Sequence, residues 1–104
     1  MSAIELAWSE AAVDDLRVLR QTLGRDSVPY ADRTSDRIFE SLARTALFPR
    51  LGRVVAEVAD ESVRELLLRT LRVIYQIADG RIVVLGLVEG GRAIERRESR
   101  RWEV

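Results

Sequence analysis

The chain has 104 residues and a formal net charge of zero, 47% of them apolar and 33% charged. That is the composition of one globular domain, able to bury roughly 65% of the surface its unfolded form exposes. With neither Cys nor His, it excludes disulfides, thiolate metal sites and histidine general bases. Lys and Asn are absent too, and all 17 basic residues are Arg. Codon bias of a GC-rich genome explains this better than a need for the guanidinium fork at every position. Residues 1–63 hold 8 Arg against 11 acidic residues, and residues 64–104 hold 9 Arg against 6. The C-terminal part is therefore the end suited to an acidic partner.

"AIELAW" (3–8) alternates Ile4, Leu6 and Trp8 with Ala3, Glu5 and Ala7, which predicts a strand with one buried face. Ser9 stands where an N-cap belongs, and Glu10, Asp14 and Asp15 suit the positive end of a helix. Ala12, Leu16, Leu19 and Leu23 give that helix its apolar face, over about 10–23, with Gly24 as its C′ stop. Pro29 fits the first turn of a second helix. Its stripe is Ala31, Ser35, Ile38, Leu42 and Ala46, widened by Phe39 and Ala43, and Pro49 ends it. The short link makes the two helices an antiparallel hairpin.

After Gly52 the period changes to that of strands. "RVVAEVA" (53–59), "VRELLL" (63–68), "LRVIYQIA" (71–78) and "RIVVLGLV" (81–88) are four extended runs. Asp79-Gly80 is a two-residue hairpin turn. "IVVLGLV" is apolar on both faces and reads as a central strand. The fold class is α+β: an N-terminal strand and helical hairpin packed on a small antiparallel sheet. The sheet face away from the helices is expected to expose Ile74, Leu66 and Leu68, or their neighbours, around Arg72, an interaction site. Residues 1–92 form the domain. "AIERRESRRWEV" (93–104) reads as a charged, solvated tail whose removal leaves the domain folded.

The ordered motifs resemble a known family. "WSEAAVDDLRVL" is similar to the opening of ParE-type toxins, and "LFPRLGR" to their Pro-x-x-Gly-Arg link. "VREL" with "LRVIYQI" is similar to their Arg-Glu-Leu and Tyr-Arg-Val-Ile-Tyr strands, and "VLGLVEGGR" to their closing strand and Gly-x-Arg. The family is the RelE/ParE superfamily of toxin–antitoxin systems, resembled over residues 4 to about 92. The resemblance implies an α+β toxin neutralised by a cognate antitoxin; with no basic-then-apolar leader pattern or membrane-length apolar run in the sequence, the expected location is the cytoplasm. In that family some members cleave mRNA on the ribosome, while the ParE branch poisons DNA gyrase.

Arg72 matches the arginine of the family's tyrosine-rich strand, and Arg92 the arginine after its closing glycine. A ribonuclease would use them to hold phosphate. Cleavage through the 2′-OH also needs a proton acceptor and a proton donor. No lysine is present, and no tyrosine or histidine follows Arg92. Arginine stays protonated, which leaves Glu95 or Glu98 as the acid–base candidates. The resemblance therefore favours a ParE-like gyrase inhibitor masked by a ParD-like antitoxin. The alternative is a RelE-like endoribonuclease with Arg72 and Arg92 in its site. No catalytic residue, cofactor, metal or membrane is expected on the favoured reading, and nucleic acid is met only through gyrase.

Arg64, Arg69, Arg72, Arg92 and Trp102 are the candidate antitoxin or target contacts. Each has a plainer reading beside it. Arg72 is either such a contact or an exposed sheet arginine paired with Glu65. Tyr75 shares a face with Val73 and Ile77 and reads as core. Gly90-Gly91 ends a strand or admits another chain. Trp102 is either an exposed aromatic anchor among arginines or packs back on the sheet edge.

Overall fold

A computed structural model describes residues 2–90 together with Ile94 and Trp102. Strand β1 (Glu5–Trp8) leads into helix α1 (Glu10–Gly24) and helix α2 (Val28–Leu47). Strands β2 (Arg53–Val54), β3 (Val63–Leu68), β4 (Leu71–Ala78) and β5 (Arg81–Val88) follow. They form one sheet in the order β1-β5-β4-β3-β2. The α+β class is as expected, but the sheet is mixed: β1 runs parallel to β5, and every other pair is antiparallel. A parallel neighbour needs a crossover, and the helical hairpin provides it.

Local chemistry sets the boundaries. The Ser9 hydroxyl accepts from the Ala12 N–H at 3.1 Å, capping α1. The Ser27 hydroxyl caps α2 through Tyr30 N at 3.2 Å, with Pro29 in the first turn. Gly24 is not the expected C′ stop: it lies within α1, and Arg25 is the C-cap in ordinary helical geometry. The Asp79-Gly80 turn has φ of 52° and 71°, positive at both residues as a type I′ hairpin requires.

Two apolar clusters lie on opposite faces of the sheet. Beneath the helices, Ala12, Leu19, Ile38 and Leu42 meet Leu66, Val73, Tyr75 and Val84. The α2 stripe turns toward buried Ser41 and Thr45 instead of Phe39 and Ala43. Phe39 stays 48% exposed, its ring 5.7 Å from that of Trp8. On the far face, Val55, Val63, Ile74, Leu85 and Val88 cluster with Ile94 and Trp102. Leu66 and Leu68, expected there, belong to the helix-facing cluster, because Leu66 pairs with Val73 across β3–β4. Nor is the far face bare: Trp102, either an exposed anchor or packed on the sheet by its sequence, is 4% exposed, and Ile94 is buried beside it. At these two positions the segment read as a solvated tail is core.

The run 53–59 is a strand only over Arg53–Val54. Val58 and Ala59 N–H groups both turn back to the Val55 carbonyl, and Ala59 takes a φ of 54°. This turn folds Glu57 toward the far face of the sheet.

A β-bulge at Leu85 completes the frame, since Ile74 pairs with Gly86 but Tyr75 with Val84. Beyond Val84, strand β1 has ended and α1 takes over. Ser9 N–H donates to the Val84 carbonyl, and Leu87 N–H donates to Asp15 Oδ2 at 2.9 Å.

Candidate functional site

Of the sequence candidates, Arg69 sits in the β3–β4 turn, Arg72 lies next to it on β4 and Arg64 stands near the start of β3, and the structure sorts them by what already holds them. Arg72 is 9% exposed, not the surface arginine expected, although Glu65 is its partner. Its Nε donates to Glu65 Oε2 at 2.8 Å. Its two terminal nitrogens donate to the two carboxylate oxygens of Glu57, both at 2.9 Å, the bidentate fork that suits a carboxylate or a phosphate. Glu65 also accepts from Arg53 Nε at 2.6 Å. Two carboxylates and two guanidinium groups thus share one network, and the carboxylates occupy the directions along which Arg72 would bind phosphate.

The electrostatics follow. Hydrogen bonding from Arg72 lowers the Glu57 carboxyl from 4.5 to about 2 against the opposing effect of burial, and a bond from Ile94 N–H assists. The same contacts, led by Glu57, raise the guanidinium of Arg72. Glu57 is a residue that sequence reasoning missed. It was hidden in a supposed strand, and its only signal is an acid beside "DES" where the strand pattern fails.

Arg64 is also engaged. Its guanidinium donates to the Gly52 carbonyl at 2.9 Å and to the Glu61 carbonyl at 3.1 Å. Tyr75, core as expected, donates its hydroxyl to the Pro49 carbonyl at 2.7 Å and accepts from Gly52 N–H at 2.9 Å. Burial raises the phenol. The Pro49–Gly52 link is thereby stitched to the sheet from both sides. A Cβ on Gly52 would stand 2.5 Å from the Glu65 carbonyl oxygen, so only glycine fits.

Arg69 is the exception. It is exposed and has no hydrogen-bond or ion-pair partner among the described residues. It stands between two grooves. One, of about 760 Å³, runs between the helical hairpin and the end of the sheet, floored by Leu19, Leu23, Leu68 and Leu71. Arg37 and Arg44 of α2 line its wall; sequence reasoning passed over them, although they flank the apolar stripe seven residues apart. The other, of about 680 Å³, lies on the far side of the turn beside Arg53, Glu57 and Arg72. Leu67, Arg69 and Thr70 line both. Arg92, Glu95 and Glu98 lie outside the described residues. Among the described residues no acidic cluster could hold a metal ion, and no helix is long and apolar enough to cross a membrane.

Residues 6–94 match the family described as "ParE toxin of type II toxin-antitoxin system, parDE". The chain belongs to this toxin family. Solved relatives share its fold at low identity. The chromosomal ParDE system of P. aeruginosa contains a chain 18% identical, with a TM-score of 0.71 over 85% of this chain and 97% of that one. An arginine double mutant of E. coli toxin RelE in the free state is 19% identical, with a TM-score of 0.68 over 99% and 100%. The RelBE2 toxin–antitoxin complex of Mycobacterium tuberculosis gives 21%, a TM-score of 0.54, and coverage of 85% and 99%. No curated protein matches the sequence. The chain is a type II toxin of the RelE/ParE superfamily, as its motifs suggested.

Proposed function

We propose that this toxin acts by binding, as a ParE-like inhibitor of DNA gyrase, and is neutralised by a cognate ParD-like antitoxin. The observation that carries the reading is the state of Arg72. The family's sheet arginine is buried and bonded to two carboxylates, so the group a ribonuclease would offer to a scissile phosphate is committed to the protein's own fold. The family match to ParE supports the same branch.

The antitoxin segment lies in the leucine-floored groove between the hairpin and the sheet. An apolar groove edged by Arg37, Arg44 and Arg69 fits an amphipathic segment that turns leucine-like side chains inward and carboxylates to the rim. This keeps Arg69 as an antitoxin contact and gives Arg64 and Arg72 the role of shaping the surface. It also moves Trp102 from anchor to support.

The full-length likeness to RelE keeps mRNA cleavage as the competing reading. A plasmid supercoiling assay with purified gyrase, beside mapping of mRNA 5′ ends after induction, separates the two. Inhibited supercoiling without new 5′ ends is expected. Reproducible cuts in translated mRNA with unimpaired gyrase would overturn the binding mechanism.

A further inference from the structure

Arg69 is held in a backbone conformation that its side chain disfavours. Its φ is 58°, and it occupies the first of the two residues between β3 and β4. In two-residue hairpin loops a positive φ at that position is normally given to glycine, asparagine or aspartate, because a larger side chain crowds the backbone there. The other hairpin fills this position with Asp79, at φ 52°, a short polar side chain that tolerates it. An arginine kept at such a site stores strain, and strained residues cluster where function requires the side chain.

The surroundings indicate what the side chain is for. Arg53, Arg64 and Arg72 are all engaged by carboxylates or carbonyls, whereas Arg69 has no partner among the described residues. It crowns the ridge between the two grooves, with Leu67 49% exposed beside it and Leu68 facing the hairpin side. Across the nearer groove Arg37 and Arg44 add positive charge, against Glu40 and Glu89 on the same lining. A chain crossing from one groove to the other must pass over this turn.

We propose that Arg69 is a specificity-determining anchor. The strained turn aims its guanidinium at a carboxylate of an antitoxin segment that passes over the β3–β4 turn and covers Leu67. The inference rests on the antitoxin reading above and narrows it to one residue and one direction of crossing. A planar guanidinium binds a carboxylate through two parallel hydrogen bonds, which fixes the segment's register as well as adding affinity.

The test uses opposite signs in two measurements. Arg69→Gly removes the side chain and relieves the turn, so the isolated toxin should melt at or above the wild-type temperature. Its complex with the cognate antitoxin should nevertheless weaken at least tenfold. Arg69→Lys, which keeps the charge without the fork, should fall between. Arg17→Ala, a charge-matched control on the exposed face of α1, should bind as wild type. Wild-type affinity in Arg69→Gly would overturn the anchor and leave the antitoxin reading standing. A lower melting temperature in Arg69→Gly would overturn the strain argument. Failure of the wild-type toxin to bind the antitoxin would overturn the reading and the anchor together.

Discussion

Replacing Glu57 with glutamine tests whether the network around Arg72 is a structural clamp. The side chain keeps its length, but an amide offers one acceptor oxygen where the carboxylate offers two, and whichever way it lies its nitrogen faces a donor of Arg72. Arg72 is left buried with Glu65 as its remaining carboxylate. The depression of Glu57 from 4.5 to about 2 corresponds to roughly 3 kcal/mol at about 1.4 kcal/mol per unit. The Glu57 side chain is 25% exposed, so solvent screening reduces this to about 2 kcal/mol. In a domain of this size that lowers the melting temperature by about 10 °C. The sign of the pH dependence is fixed. A carboxyl with a depressed native pKa stabilises fully above its unfolded value, near 4.5, and loses that contribution as pH falls through about 2. Thermal or urea unfolding of Glu57→Gln and wild type should therefore show the full gap at pH 7 and a closing gap toward pH 2. A gap under about 0.5 kcal/mol at pH 7, or one unchanged at pH 2, would refute the clamp.

Three further outcomes follow from the same geometry. Tyr75→Phe keeps the ring but strands the Pro49 carbonyl and Gly52 N–H; urea unfolding should show a loss of about 2 kcal/mol, with faster hydrogen exchange at Gly52. Gly52→Ala should cost more than Tyr75→Phe, because its Cβ meets a backbone carbonyl at 2.5 Å; denaturant midpoints of the two variants check the order. Trp102→Ala should cost about 3–5 kcal/mol, and removal of residues 93–104 should lower the melting temperature sharply, reversing the expectation from sequence that the domain survives truncation. Trp102→Phe should be much milder than Trp102→Ala in the same melts, since the buried indole N–H has no hydrogen-bond partner among the described residues.

The elements that could be read in advance are those with local signals. The Ser9 cap, the Ser27–Pro29 helix start, the Asp79-Gly80 turn and the alternation of β3 to β5 all depend on residues within a few positions of one another. The misreadings involve partners distant along the chain. Val54 and Val55 continue a strand pattern, but β2 stops because the Val55 carbonyl is taken by Val58 and Ala59. Ile94 and Trp102 look solvated among charges, yet Ile74 and Leu85 leave an apolar surface that only a distant segment can cover. Leu66 was assigned to the wrong face because face assignment needs the β3–β4 register, and a shift of one residue exchanges every side chain. Arg72 was found as a residue and misjudged as a surface, since its neutralising partner Glu57 lies outside any regular element.

The arginines show why counting charge does not locate a binding site. The excess of basic residues in the C-terminal part suggested an acidic partner there, but basic side chains that already hold carboxylates present little field outward. Arg72, Arg64 and Arg53 serve the sheet and its loops. Their contribution is rigidity: they fix the Pro49–Gly52 link and the 55–59 turn, and with them the walls of the two grooves. Arg37 and Arg69, unpaired among the described residues, are the ones a carboxylate can approach without displacing an existing bond. Disrupting a paired arginine should therefore lower stability and binding together, whereas removing Arg69 should separate them. That separation, measured as melting temperature against antitoxin affinity across Arg72→Met, Arg64→Met and Arg69→Gly, distinguishes a surface that recognises from the frame that holds it.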